Sequence, residues 1–252
     1  MKVISRTHVG LVRENNEDSL LIHEPQLFAV ADGMGGYAAG EVASRGAIKA
    51  FEVAFFELLQ EKSAKVEEIL RTAMLRANEH ICKMAQQNKD FSGMGTTLTA
   101  LYLEADYTAY ACQMGDSRLY LYRNGVLSQV THDHSYVAGL VEQGKITDQE
   151  AINHPQRHML LQAVGMEEAG EAEIIHFALE EEDILLLCTD GLTDMVTNQE
   201  IEAILADTSA ENAADNLLEK ALANGGRDNI SLLLLTKAGE KEETDSGQEH
   251  IE

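Results

Sequence analysis

Residues 27–36 read LFAVADGMGG, which is five apolar residues, an aspartate and a turn that contains three glycines. A short apolar run bounded by turn residues predicts a buried strand over Leu27–Ala31. Asp32 then stands at the end of that strand, where a rigid backbone fixes the carboxylate and Gly33 lets other backbone approach closely. A single Asp-Gly pair, however, is more often an ordinary turn than a site.

Three more aspartates have a similar setting near glycine: Asp116 and Asp190 follow apolar runs, and Asp228 follows Gly225-Gly226 and precedes one. Carboxylates that converge inside a protein without lysines repel one another, so the cluster must be protonated or neutralised by cations. Hard oxygen ligands select Mg²⁺ or Mn²⁺. Taken on their own, the residues leave a divalent-metal site and four unrelated turns as alternatives.

The rest of the pattern places strands and helices in groups. Predicted strands are Ser19–His23, Leu27–Ala31, Thr96–Leu103, Tyr107–Met114, Arg118–Arg123, Val126–Val130, Glu173–Phe177, Asp183–Cys188 and Ile230–Thr236. Predicted helices are Glu41–Leu59, Val66–Met84, Tyr136–Gln143, Asp148–Asn153, Ile201–Leu205 and Glu211–Leu222. Strands grouped around paired helices indicate a layered α+β domain and not a regular βαβ repeat.

The chain of 252 residues is long enough for one large domain, and it contains no internal repeat or composition break. We therefore expect a single domain over residues 1–236. Residues 131–170 are polar and rich in His and Gly, which predicts an insertion on a sheet edge. Residues 237–252 are charged and lack apolar periodicity, so we expect a disordered tail.

Composition narrows the range of partners. Nineteen basic residues against 43 acidic ones give a net charge of −24, which repels nucleic acids and anionic membranes. The same charge disfavours a phosphorylated substrate unless bound cations reverse the local field. The three cysteines lie in apolar runs without metal-site spacing, and neither a signal peptide nor a membrane span is visible. We expect a cytoplasmic monomer with reduced cysteines.

Eight segments resemble, in family order, the motifs of the metal-dependent (type-2C) protein phosphatases, and most closely those of the small bacterial members. They are RENNED (13–18), ADGMGG (31–36), GMGTT (93–97), GDSR (115–118), DHS (133–135), HPQR (154–157), CTDGLTD (188–194) and GGRDN (225–229). The resemblance implies an αββα sandwich, with two central antiparallel sheets flanked by helix pairs. It also implies that residues 131–170 form a flap beside the active site.

The resemblance assigns a role to each matching residue. Asp32 would bridge two ions, Mn²⁺ or Mg²⁺, with the Gly33 carbonyl on the second ion. Asp190 and Asp228 would complete the protein ligands of the first ion. The acids Glu17 and Asp18 would reach the second ion largely through water. The ligands of a weaker third ion would be Asp116, Asp190 and Asp194.

The implied activity is hydrolysis of phosphoserine and phosphothreonine in proteins by a water or hydroxide held between the two ions. Arg13 would grip two phosphate oxygens with its planar fork, so the expected catalytic residues are Arg13, Asp32 and Asp190. No Cys-x5-Arg loop is visible that would form a phosphoenzyme. Expected partners are the phosphoprotein products of a bacterial Ser/Thr kinase and the kinase itself, with no nucleic acid.

Two departures from the family pattern leave the donor of the leaving-group proton open. Some relatives carry His where this chain has Met34, and many bacterial relatives carry His where it has Tyr37. Methionine has no proton to donate, and tyrosine, with a reference pKa of about 10, is a poor acid near neutrality. A water on the metal is a further candidate.

Other interpretations stay open for single residues. Arg13 read alone is a surface cation, and Thr96 and Thr97 read as ordinary strand residues. The histidines at positions 132, 134, 154 and 158 lack zinc-site spacing and favour loop structure or substrate contact.

Two other function classes compete with an active phosphatase. A pseudophosphatase acting as a binding module would have lost Asp32, Asp190 or Asp228, and all three are present. A two-metal nuclease would need a basic stripe, which the acidic composition does not offer.

Overall fold

Two antiparallel sheets pack face to face, and helices cover the outer face of each. The structure is a computed structural model that describes residues 1–36, 39–61 and 64–237. Its strands are β1 (Lys2–His8), β2 (Asp18–His23), β3 (Leu27–Met34), β4 (Gly95–Thr96), β5 (Leu98–Leu103), β6 (Thr108–Met114), β7 (Arg118–Arg123), β8 (Val126–Gln129), β9 (Glu173–Ala178), β10 (Ile184–Cys188) and β11 (Ile230–Thr236). Its helices are α1 (Ala39–Gln60), α2 (Val66–Gln87), α3 (Tyr136–Glu142), α4 (Asp148–Ile152), α5 (Asp190–Thr193), α6 (Asn198–Asp207) and α7 (Ala210–Ala223).

The strand order places the strand ends that carry or adjoin acidic residues next to one another. One sheet has the order β1-β11-β10-β7-β8, and the other has the order β2-β3-β5-β6-β9, with β4 paired to β3. The pairs are antiparallel throughout, so the C-terminal end of β10 lies beside the N-terminal end of β11. In the second sheet, the N-terminal end of β2 lies beside the C-terminal end of β3 in the same way.

Three apolar layers hold the sandwich together. Side chains of both sheets fill the middle layer, including Phe28, Leu101, Leu119, Leu187 and Leu233. Helices α1 and α2 close one outer layer, and α6 and α7 close the other. Central strands such as β10 and β11 are apolar on both faces, because one face meets the opposite sheet and the other meets helices. The predicted αββα sandwich is therefore confirmed.

Most predicted elements lie within a few residues of their expected bounds. The sequence analysis did not identify β1 as a strand, although its seven residues pair along their whole length with β11. The predicted run Thr96–Leu103 is divided into β4 and β5, and the helix after Val66 extends to Gln87. The expected tail lies outside the described residues, apart from Lys237.

The insertion at 131–170 contains α3 and α4 and is anchored to the sheets at both ends. We call these residues the flap. At its start, the N–H of His134 donates to the carbonyl of Gly115, and Arg118 forms a hydrogen-bonded ion pair with Asp133. Near its end, Thr96 and Val164 exchange two backbone hydrogen bonds of 2.9 and 2.8 Å. The flap thus joins the turns that carry Asp116 and Asp32.

Candidate active site

Acidic residues meet where the paired strand ends of the two sheets face each other. Asp18 and Asp32 are directly opposite partners in the β2–β3 register. Asp190 lies two residues after the end of β10 and is the first residue of α5, and Asp228 lies two residues before β11. Thr189 connects the sheets here, because its hydroxyl donates a 3.0 Å hydrogen bond to Oδ2 of Asp18.

The pKa values of these carboxyls report their crowding. Burial raises the pKa of Asp32 well above its ordinary value, and the charges of Asp190 and Asp18 raise it further. Burial likewise raises the pKa of Asp18 to about 7 and that of Asp190 to about 6. The pKa of Asp116 rises through burial and through the charge of Asp190. Several acids that oppose one another's ionisation form a site suited to multivalent cations.

Two carboxylate oxygens in this cluster are candidate ligand atoms for a metal ion. Within the part of the chain that the structure describes, Oδ1 of Asp18 and Oδ1 of Asp190 are buried without a hydrogen-bond partner. A buried carboxylate oxygen without a partner is costly, and a metal ion supplies one. The donor set consists of carboxylate and carbonyl oxygens, which suits Mn²⁺ or Mg²⁺. The residues present therefore fit the ions that the sequence analysis expects.

Two threonines fix the backbone of Asp32. The hydroxyl of Thr97 accepts a 2.9 Å hydrogen bond from the N–H of Asp32. The carbonyl of Asp32 accepts from the hydroxyl of Thr96 at 2.7 Å and from the N–H of Thr97 at 2.9 Å. Both threonines are buried. The interpretation of them as ordinary strand residues was therefore incomplete, because their hydroxyls orient the candidate bridging ligand.

The same network continues to the turn that carries Asp116. The hydroxyls of Thr97 and Ser117 share a 2.7 Å hydrogen bond. The amide of Gln113 donates to the carbonyls of Gly115 and Ser117 at 2.9 and 2.7 Å. Ser117 and Gln113 are completely buried. Asp32 and Asp116 are thus held by one continuous buried polar network.

The loop that carries Arg13 and Glu17 is clamped by Asn229. The side-chain amide of Asn229 donates 2.9 Å hydrogen bonds to the carbonyls of Val9 and Asn15, and its oxygen accepts from the N–H of Glu17 at 2.7 Å. Burial raises the pKa of Glu17, and the charge of Asp228 raises it further. Asn229 was not among the site residues expected from the sequence.

Arg13 reaches the cluster from this loop. Its guanidinium Nη2 donates a 2.8 Å hydrogen bond to Oδ2 of Asp228. Burial opposes the charge on Arg13, but the hydrogen bond and the charges of Asp228, Asp32 and Glu17 raise its pKa overall. A cleft of about 250 Å³ opens beside it and is lined by Arg13, Glu14, Asn15, Glu17, Gly35 and Asn229. Among these six lining residues, Arg13 is the one that carries a positive charge.

A close backbone approach requires glycine after Asp190. A Cβ atom at Gly191 would lie 1.9 Å from the carbonyl oxygen of Asn229. The loop after β10 and the loop before β11 therefore touch backbone to backbone, which brings Asp190 and Asp228 together. This contact gives the physical reason for the Asp-Gly pairing noted in the sequence.

A second group of possible ligands contains a histidine. Single ligand atoms of His158, Asp190 and Asp194 lie within 4.8 Å of one another. Nδ1 of His158 is 4.0 Å from Oδ2 of Asp190 and 3.8 Å from Oδ2 of Asp194. The expected third-ion set included Asp116 and not His158. The sequence had favoured loop structure or substrate contact for His158, and its closeness to these acids was not predicted.

The other residues named from the sequence lie in β3, in the flap or outside the described residues. Gly33 lies in β3 and pairs with Thr96, while Met34, the residue after it, ends the strand. Tyr37 lies outside the described residues. His134 accepts a hydrogen bond from the N–H of Gly115 at Nδ1, so it has the loop role that the sequence favoured.

Comparison with known proteins gives consistent matches over nearly the whole chain. The family profile described as Protein phosphatase 2C matches residues 10–224. The serine/threonine phosphatase stp of Listeria monocytogenes is 39% identical over 238 residues, which are 92% of this chain and 94% of the relative. The PstP phosphatase of Mycobacterium tuberculosis is 38% identical over 93% of this chain and 44% of its own length.

Solved structures agree with the fold. The crystal structure of the Mycobacterium tuberculosis phosphatase PstP/Ppp superposes with a TM-score of 0.85 at 38% identity, covering 94% of this chain and 99% of that one. The catalytic domain of PstP in complex with two manganese ions gives a TM-score of 0.81 at 35% identity, covering 92% and 96%.

Proposed function

Because this chain belongs to the protein phosphatase 2C family, we propose that Asp32, Asp190 and Asp228 hold the two catalytic ions of its active site. The protein is a metal-dependent serine/threonine phosphatase that uses Mn²⁺ or Mg²⁺. The single observation that carries the residue assignment is that, among the described residues, one buried carboxylate oxygen of Asp18 and one of Asp190 have no hydrogen-bond partner. In this assignment Asp32 is the bridge and the Gly33 carbonyl faces the second ion.

The acids divide into an inner and an outer set. Asp18 and Glu17 support the second ion, largely through water. A weaker third ion would lie between the flap and the loop after β10, held by His158 together with the acids Asp116, Asp190 and Asp194. The 3.8 Å separation of His158 and Asp194 supports this extension of the expected set.

When bound, the ions supply the positive charge that activates water and offsets charge on the phosphoryl oxygens. The protein positions the other participants. Arg13 grips two phosphate oxygens from the cleft and sets the phosphorus in line for attack. Thr96 and Thr97 keep Asp32 from turning away, and Asn229 keeps the Arg13 loop in place. Met34 has no proton to give, which leaves a water held at the metal site and Tyr37 as the candidate donors of the leaving-group proton.

The biological setting is also a proposal. Phosphoprotein products of a serine/threonine kinase, and the kinase itself, are the substrates that fit this activity. We propose a monomer whose catalytic domain is residues 1–236, supported by the family match over 10–224. Cytoplasmic location is supported by three unpaired cysteines, two of them buried. None of the described helices combines the length and apolar character that crossing a bilayer requires.

Hydrolysis of a phosphothreonine peptide tests the proposal. We expect turnover with Mn²⁺, essentially none with a chelator, and near-complete loss in Asp32→Asn or Asp190→Ala with the circular dichroism of the folded chain retained. Asp207→Asn, at an exposed acid on α6, is the matched control. Turnover close to wild type in either active-site variant would refute the assignment of that residue.

A further inference from the structure

Asn78 connects helix α2 to the end of the flap. Its side chain is 9% exposed. Its amide oxygen accepts a 2.6 Å hydrogen bond from the N–H of Gly165, and its amide nitrogen donates to the carbonyl of Met166 at 3.1 Å. One side chain therefore satisfies consecutive backbone groups of a segment 87 residues away in sequence.

The flap residue next to this contact, Val164, is hydrogen-bonded to β4, the strand that pairs with the end of β3 beyond Asp32. Val164 pairs with Thr96 through two backbone hydrogen bonds, and Thr96 donates its hydroxyl to the carbonyl of Asp32. Val164 and Thr96 are completely buried. A continuous path of hydrogen bonds thus leads from α2 through the flap to the backbone of the candidate bridging ligand.

Backbone contact makes this connection stiff. Gly165 has a φ of +102°, and a Cβ there would lie 2.8 Å from the carbonyl oxygen of Met94 and 3.0 Å from Cα of Gly95. Close-packed backbone of this kind transmits a displacement instead of absorbing it. Without the hydrogen bond to Asn78, Gly165 and its neighbour Val164 are held less firmly against Thr96.

We propose that Asn78 is a positioning residue for catalysis, which fixes Asp32 through Gly165, Val164 and Thr96. This rests on the proposed role of Asp32 as a metal ligand. Asn78 lies on a different element from the Arg13 loop, so its loss should affect the reacting centre more than the grip on substrate. The expected signature is a fall in kcat with little change in KM.

The test compares Asn78→Ala with Ile69→Val, which removes one buried methyl group from the same helix away from the flap contact. Peptide hydrolysis is measured with Mn²⁺ well below the melting temperature of both variants, and amide hydrogen exchange is measured without substrate or metal. For Asn78→Ala we expect kcat to fall about tenfold with KM within about twofold, which is about 1.4 kcal/mol in the barrier. Exchange should accelerate at Val164, Gly165 and Thr96, and Ile69→Val should match wild type in both measurements.

Three further variants keep the test decisive. Asn78→Asp retains the acceptor for the N–H of Gly165 and loses only the donor to Met166, so its kcat and the exchange of the Val164 amide should stay closer to wild type than in Asn78→Ala. Asn78→Ser, whose side chain is too short to reach Gly165, serves if the alanine variant does not fold and should lose kcat. Gly165→Ala disturbs the same contact from the flap side, so its effect on kcat should not add to that of Asn78→Ala. Normal kcat or unchanged exchange at 164–165 in Asn78→Ala, or full additivity, would overturn the proposal. A wild-type protein inactive with Mn²⁺ would instead refute the role of Asp32.

Discussion

The guanidinium of Arg13 and the carboxylate of Asp228 form a 2.8 Å hydrogen bond across 215 positions of sequence. Each residue is expected to bind something else during catalysis: Arg13 the substrate phosphate, and Asp228 a metal ion. The guanidinium and the ion would therefore compete for the same carboxylate oxygen. An ion on Asp228 leaves the guanidinium free to turn toward phosphate.

Replacing Arg13 should separate substrate binding from metal binding. A charge-assisted hydrogen bond contributes about 1.5–3 kcal/mol, so Arg13→Ala should raise KM roughly 10- to 100-fold, with kcat less affected. The Mn²⁺ concentration for half-maximal activity should stay equal or fall, because a competitor for Asp228 is gone. Arg45→Ala, at an exposed arginine on α1, is the control. An unchanged KM would place Arg13 outside the phosphate site.

Removing the side-chain amide of Asn229 should loosen the Arg13 loop and weaken the fold. Three hydrogen bonds are lost from a side chain that is 4% exposed. With backbone groups left unpaired, Asn229→Leu should lower the free energy of unfolding by about 3 kcal/mol. Urea denaturation in the presence of chelator measures this loss, and KM should rise at temperatures where the variant is folded. Normal stability together with normal KM would show that the clamp is dispensable.

The hydroxyl of Thr97 should matter for turnover more than its place in a strand suggests. Thr97→Val keeps the shape but removes the acceptor for the N–H of Asp32 and the partner of Ser117. We expect a fall in kcat of about tenfold, equivalent to about 1.4 kcal/mol in the barrier. Thr72→Val on α2 is the control, since the hydroxyl of Thr72 donates to the carbonyl of Glu68 within that helix. If both variants turn over like wild type, the network does not position Asp32.

The metal-free protein should lose stability as the pH rises. Asp18 and Asp190 have pKa values raised by burial to about 7 and about 6, against about 4 in the unfolded chain. The folded protein therefore binds these protons more tightly, and the stabilisation they give is lost as pH rises from about 4 through 7. Melting curves in chelator should show a falling melting temperature from pH 5 to 7.5. Asp18→Asn should make the melting temperature depend less on pH, and so should added Mn²⁺. An identical dependence on pH in wild type and Asp18→Asn would contradict this explanation.

The sequence was informative where the signal was local. Asp32 and Asp190 stand out because an apolar run, an acid and a glycine lie next to one another in the chain. Asn78 gave no such signal, and Asn229 appeared only as the last residue of the GGRDN motif, without a role, because their partners lie about 90 and more than 200 positions away. Strand β1 was missed for a related reason: only Ile4 is fully buried, and its pairing depends on β11 at the other end of the chain.

His158 shows the same limit in the candidate site. Its neighbours in sequence are flap residues without a periodic pattern, and its closeness to Asp194 arises only when the flap folds over the loop after β10. The acids of the third-ion set could be named from motifs, whereas the histidine needed coordinates.

Crystals soaked in MnCl₂ and measured at the manganese absorption edge provide the most direct test of the metal site. The account predicts two strong anomalous peaks bridged by the carboxylate of Asp32, one also contacted by Asp190 and Asp228 and the other near the carbonyl of Gly33. Anomalous density absent from this cluster, with Arg13 still bonded to Asp228 and Thr189 still bonded to Asp18, would contradict it.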